Sequence, residues 1–431
     1  MTKTSIPWLP EIKEGWQINR VKNLFYISKE KAKQKNPIIL SLARDSIKVR
    51  DISNNEGQLA ASYENYNPVA PGDLLLNPMD LYSGANCNMS ELSGVISPAY
   101  SNLRKKVALN PKYFDYYFKC QYWTMAMFAH GKGVSFDNRW TLNADALLNY
   151  EIPVPSFDEQ NNIVKTIQSQ LSKVNSLIEN EQQQIEKLKE YRSSLISEVV
   201  TKGLNPDVPM KDSGIKGIGY IPSNWEVVPI KGLFSFNKGL PITKENLIAN
   251  GLSVISYGQL HAKYNESFRV LDSLIRFVNP SYAEKYPDSR VRIGDFIMAD
   301  TSEDVPGTCD FVLNDRIQNL FAGYHSIILK SKNRELSPYL SYLFISPCWR
   351  LQYQERVGGV KLFSLTQKIL STGRLVIPPK EERDEIVSYL NGKLSVFSKL
   401  VENLNRSIDQ LNQYKKSLIY EYVTGKKEVT C

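Results

Sequence analysis

Apolar residues recur at alternating spacings of three and four along two segments of the chain. In the first, Leu171, Val174, Ile178, Ile185, Leu188 and Leu195 form the series, with Glu181 and Arg192 interrupting it. In the second, Leu394, Phe397, Val401, Leu404, Ile408, Leu411 and Leu418 do the same, and Lys415 is the one break. This is a heptad seam, and it predicts two long helices that pack as a coiled coil. Residues 158–201 contain neither glycine nor proline, which permits one uninterrupted helix. At 1.5 Å per residue, such a helix is roughly 65 Å long. Two apolar stripes in one chain most economically cover each other. Packing of each helix on its own domain, or dimerisation of the chain, are the alternatives.

The two segments are copies. Residues 154–201 align with 377–424 at a constant offset of 223, with 18 of 48 positions identical. Both open on Pro then Glu (Pro155 and Glu159; Pro378 and Glu382) and continue Ile163-Val164 or Ile386-Val387. Both close on one spacing, from Tyr191 to Thr201 and from Tyr414 to Thr424. The preceding regions correspond more loosely. Trp16 stands five residues before Val21-Lys22-Asn23-Leu24-Phe25, as Trp225 does before Ile230-Lys231-Gly232-Leu233-Phe234. Ile39-Leu40-Ser41 resembles Val254-Ile255-Ser256, Gly72-Asp73 resembles Gly294-Asp295, Tyr113 to Trp123 matches Tyr339 to Trp349, and Gly133-Val134 matches Gly359-Val360. The offset drifts between these pairs, as loop insertions require.

Short β-rich runs bounded by glycine and proline, such as Pro37-Ile38-Ile39-Leu40 and Phe296-Ile297-Met298, read as strands. The aromatic runs at Phe114 to Phe118 and Tyr339 to Phe344 read as core helix. The expected architecture is an α/β (α+β) tandem repeat with pseudo-two-fold symmetry. Globular domains at 1–157 and 225–379 are each followed by a long helix, at 158–201 and 380–425, and the two helices run antiparallel. Residues 202–224, dense in Gly, Pro, Asp and Asn, read as a linker.

Charge sharpens this division. The chain carries a net +8 over 431 residues. The helical segments sum to −2 for 158–201 and to zero for 380–424, while residues 1–157 carry +4 and residues 202–379 carry +5. The basic excess lies outside the helices, where it suits contact with phosphates. No apolar run is long enough to span a membrane and no signal-like core opens the chain, so a cytoplasmic protein is expected. Five scattered cysteines make neither a zinc site nor a disulfide framework. No phosphate-binding loop is present: Tyr420 stands where Gly425-Lys426 would need an earlier glycine. Asn77-Pro78-Met79-Asp80 falls short of an amino-methyltransferase tetrad. His130, His261 and His325 lie far apart without ligand spacing. Neither catalytic residues nor a metal site is expected in this chain.

Taken together, the duplicated Pro-x-x-x-Glu helix openings, the repeated helix ends and the segment Lys211 to Pro222 leading into Trp225 resemble the specificity subunit of type I restriction–modification systems. The resemblance covers essentially the whole chain. It implies two target-recognition domains, each reading one half of a bipartite site on double-stranded DNA. It also implies helices that set the unread spacer and bind two methyltransferase subunits. Those partners would use S-adenosylmethionine to methylate adenine, and restriction–translocase subunits would use ATP and Mg. This chain would itself be a non-catalytic subunit. Arg383 departs from the glutamine usual at the helix opening, which Gln160 keeps; a local effect on helix-start contacts is expected.

Base-edge readout favours Arg, Lys, Gln and Asn on loops facing the major groove. The candidates in the first domain are Arg44, Lys48, Lys132, Asn138 and Arg139, with Arg104, Lys105 and Lys106 as phosphate contacts. In the second domain they are Gln259, His261 and Lys361. The loops differ between the halves, so two different half-sites are expected. A coiled-coil adaptor with two ligand-binding domains is the alternative. So is the specificity subunit of a system whose methyltransferase and nuclease share one partner chain.

Overall fold

The structure, a computed structural model, describes all residues except 5, 34–35, 45, 52–59, 61, 80, 82–86, 134–139, 262–267, 304–308, 355, 358–361 and 430–431. The chain folds as two compact units. One comprises Met1–Gln182 with Leu404–Cys431, and the other Gln183–Asn403. Neither unit is a continuous stretch of one half of the repeat.

The predicted helices are Phe157–Lys202 and Lys380–Val423. Asp158 and Glu159 sit in the first turn of one, and Glu381 and Glu382 in that of the other, where they complement the exposed N–H groups. Both helices stop at a left-handed glycine, Gly203 (φ 75°) and Gly425 (φ 73°). The Gly203 N–H donates to Val199 O and that of Gly425 to Tyr422 O, so each glycine closes its last turn. Every predicted seam residue is buried or half-buried, and most residues between them are exposed. The seam interruption Glu181 accepts a hydrogen bond from Ser407 Oγ at 2.7 Å.

Each unit holds the start of one long helix against the end of the other. In the first unit Ile163, Val164 and Ile167 share a core with Leu418, Ile419, Tyr422 and Val423. In the second, Ile386, Leu390 and Phe397 share a core with Leu195, Ile196, Val199 and Val200. Start meeting end in both cases is antiparallel packing. Buried tyrosines fasten it: Tyr113 Oη donates to Val423 O at 2.9 Å, and Tyr339 Oη to Val200 O at 3.0 Å.

The remainder of each unit is built on a four-stranded antiparallel sheet. Its order is Phe25–Ile27, Ser101–Lys105, Leu74–Leu76, Cys87–Met89 in the first unit. In the second it is Phe234–Lys238, Ser326–Ser331, Phe296–Ala299, Phe311–Leu313. The registers agree, with Leu103 opposite Leu74 and Leu329 opposite Phe296. The second unit adds a sheet in which Leu252–Ile255 runs parallel to Leu320–Ala322. Among the described residues, the first unit has a parallel bridge there, Ile39 to Val95. One difference lies in the aromatic helix. Pro111–Trp123 is continuous, whereas its counterpart splits into Ser337–Ile345 and Pro347–Gln354. Pro347 forces the preceding Ser346 out of helical backbone, to ψ 131°.

The segment read as a linker is itself folded. Met210–Asp212 pairs with Tyr220–Pro222, and Ile215, Ile221 and Trp225 enter the core of the second unit. The N-terminus is its twin: Thr2–Lys3 pairs with Glu11–Ile12, and Ile6, Ile12 and Trp16 enter the core of the first. The hydrogen bonds also repeat, Thr4 N to Pro10 O matching Ser213 N to Gly219 O, both at 2.9 Å.

Arg383 is buried where Gln160 has its counterpart. Gln160 both accepts, from Asn110 N at 2.8 Å, and donates, to Pro155 O at 3.0 Å. A guanidinium has no acceptor, so Arg383 cannot repeat the first bond; its Nε lies 3.5 Å from Asp384.

The Gly-Asp turns are also duplicated. Gly72 (φ 89°) and Gly294 (φ 91°) are left-handed, and the next aspartate N–H closes the turn onto Ala70 O or Arg292 O. A Cβ on Gly294 would stand 2.8 Å from Arg334 Cγ, whereas one on Gly72 would meet nothing closer than Pro111 Cγ at 3.9 Å. Gly72→Ala is therefore expected to cost about 1–2 kcal/mol, the backbone penalty alone. Gly294→Ala should cost more in urea unfolding, because Arg334 must also move.

Candidate nucleic-acid interface

In the second unit, three turns meet at the end of the central sheet remote from the Gly-Asp turn. They are Ser256–His261, the segment after Ala299, and Tyr324-His325. Tyr257 N donates to Tyr324 O at 3.3 Å, and Asp300 N to His325 O at 3.2 Å. His261 Nε2 lies 2.8 Å from Thr301 O. Backbone bonds at the ends of rigid strands thus fix the turns relative to one another.

The predicted residues fare unequally here. Gln259 is turned back on its own helix, where its Oε1 accepts from Ser256 N at 3.1 Å in a capping box. His261 places Nδ1 2.9 Å from Asp310 Oδ2, so each ring nitrogen faces an acceptor. Asp310 Oδ1 also accepts from Arg350 Nη1 at 3.1 Å. These three side chains line a cleft of about 210 Å³ with Leu260, Phe268, Phe311 and Ile345. Both predicted side chains are therefore engaged in holding the turns. Lys361 lies outside the described residues.

In the first unit, Arg44 and Lys48 are exposed on the hairpin that joins Leu40–Leu42 to Ile47–Val49. Asn88 Nδ2 donates to Ala43 O at 2.8 Å and ties this hairpin to the central sheet. Lys132 is exposed beside its backbone partner Thr141. Asn138 and Arg139 lie outside the described residues. Arg104 is consumed internally, since its guanidinium meets Asp73 at 3.1 Å and Glu30 at 2.7 Å. Lys106 Nζ donates to Lys22 O at 2.7 Å, and Lys332 Nζ repeats the bond to Lys231 O at 3.0 Å. A lysine doing the same work in both units belongs to the scaffold. Lys105 remains exposed. Among the described residues, Arg44, Lys48, Lys105 and Lys132 are predicted cations exposed on the first unit. A residue the sequence reading passed over, His325, stands on the turn that both neighbouring turns brace.

Comparison with known proteins fits this arrangement. Residues 222–413 match the model of the type I restriction modification DNA specificity domain. Over that span the chain resembles the DNA specificity domain of type I restriction–modification systems. The type I restriction enzyme MjaVIII specificity subunit of Methanocaldococcus jannaschii is 24% identical over 285 residues, 65% of this chain. A second protein of that organism, carried under the MjaX specificity-subunit name, is 25% identical over 305 residues, 68% of this chain. The chain spans 63% of the length of each of these relatives. A solved chain from a study of complex assembly and conformational transition of the type I system shares the fold. Its TM-score is 0.65 at 15% identity, covering 97% of this chain and all of that one. Among the described residues, no helix is long and apolar enough to cross a membrane.

The likeness of fold extends to both sides of the repeat. The domain model covers the second unit's sheet and the first part of its long helix, and the first unit repeats the same strand order. The units also differ in their turns. Tyr324-His325 stands where strand register puts Pro98-Ala99, and among the described residues the short helix after Ser256 has no counterpart after Ser41.

Proposed function

We propose that this chain is the DNA-reading subunit of a type I restriction–modification complex. Each unit reads one half of a bipartite site with the turns at the end of its sheet. The observation that carries this is one scaffold built twice with different turns. A shared scaffold docks two halves in the same manner, and unlike turns give them unlike sequences. The reading assigns positioning to phosphate contacts from exposed cations such as Arg44, Lys48 and Lys132, and sequence to base edges. Methyl transfer to adenine, with S-adenosylmethionine, falls to methyltransferase partners docked on the long helices. ATP- and Mg-dependent cleavage falls to restriction subunits. This chain supplies recognition without catalysis.

Methylome sequencing of cells that express the chain with its methyltransferase tests the proposal. The expected product is a discontinuous methylated motif whose two parts differ. A continuous motif, or a perfect palindrome, would contradict it.

A further inference from the structure

His325 is held in left-handed backbone, φ 53°, which residues with a Cβ rarely adopt. It sits between the strands Leu320–Ala322 and Ser326–Ser331, where a glycine would hold the same turn without strain. Its imidazole does little to stabilise the turn. The side chain is 57% exposed, and its Nδ1 lies 3.5 Å from Asp300 Oδ1. Tyr257 stands edge-on to the ring at 5.2 Å and Tyr324 at 6.0 Å, so aromatic walls orient it without covering it. The scaffold does not need an imidazole here, because strand register places Ala99 at the corresponding point of the first unit. A strained, oriented and exposed polar side chain at the meeting point of three braced turns is suited to an external ligand.

We propose that His325 is a specificity-determining residue that hydrogen-bonds one base edge in the major groove of the half-site read by the second unit. This rests on the DNA-reading function proposed above. An imidazole nitrogen can donate to or accept from a base edge, and phosphate contact would not require its fixed orientation. Asp300 and Tyr257 are positioning residues, which hold the ring and its turn.

The test uses the chain co-expressed with its methyltransferase partner and a library of targets randomised across both half-sites. His325→Gly removes the ring and relieves the backbone. His325→Asn keeps a polar group and tolerates the left-handed conformation. Discrimination at one base pair of one half-site should fall roughly ten-fold in His325→Gly. The other half-site should be unaffected, and the unfolding midpoint unchanged or raised. His325→Asn should retain or alter preference at that same base pair. Unchanged discrimination everywhere would overturn the proposal. So would a uniform loss across all sequences, which marks a backbone contact, or a lowered midpoint in His325→Gly, which marks a structural role. Absence of site-specific methylation by the unsubstituted complex would overturn the DNA-reading function itself, and this inference with it.

Discussion

Trp225→Ala should destabilise the second unit by about 3–5 kcal/mol. Trp225 is fully buried, packs edge-on against Tyr339 at 6.4 Å, and donates its indole N–H to Glu382 Oε2 at 2.9 Å. Truncation leaves a large cavity and strips a carboxylate of a partner. It also frees the folded hairpin from the helix start. The twin position provides an internal control. Trp16 is likewise buried, but its indole N–H has no partner, because Lys13 Nζ has taken Glu159 at 2.8 Å. Register places Pro222 where Lys13 stands in the first unit, and proline offers no amine. Trp225→Phe should therefore cost about 1–2 kcal/mol more than Trp16→Phe, since only the former breaks a hydrogen bond. Urea unfolding followed by far-ultraviolet circular dichroism checks both; equal costs for the two phenylalanine variants would contradict the assignment.

Leu418→Asp should cost about 4–5 kcal/mol at neutral pH and unfold the first unit's helix packing. Leu418 is 1% exposed in an apolar core with Ile163, Ile167 and Val423, where a carboxylate loses its water. The sign of its pH dependence follows. Burial raises the introduced carboxyl above its ordinary value near 3.9, so the neutral form is the one the core accepts. The destabilisation should therefore be smallest in acid and grow as pH rises above that value. Leu418→Ala, which leaves a cavity and no charge, should cost about 2–5 kcal/mol with no such dependence. A Leu418→Asp penalty that is flat with pH would show that the side chain escapes to solvent.

The long helices were legible because their signal is periodic and local. Leu171, Val174 and Ile178 mark a stripe wherever the chain goes, and two stripes imply each other. The repeat then placed both central sheets, since Gly72-Asp73 and Gly294-Asp295 precede equivalent strands. The hairpin at 210–222 was hidden by its composition. Its strands are three residues long, and its glycines and prolines carry the pattern of a linker. Its meaning emerges only beside the first sixteen residues, which share its hydrogen bonds. The candidate base-contacting residues were the least legible. Sequence gives a side chain's chemistry but not whether the fold has already used it. Gln259 is used as a cap, Arg104 as an ion partner and Lys106 as a brace, and His325 gained interest only from its backbone angle.

The crosswise completion of the two cores has a consequence for synthesis on the ribosome. Most of the first unit is translated before the second, yet its core takes in Leu418, Ile419, Tyr422 and Val423, which are made after all of the second unit. Until they arrive, Ile163, Val164 and Ile167 lack part of their core, and Tyr113 lacks its acceptor. The second unit, whose residues 183–403 are contiguous, closes earlier. The order of birth is thus reversed in the order of folding: the first unit stays open and adhesive until the residues beyond 403 emerge, and a nascent chain that stalls after residue 403 leaves it so.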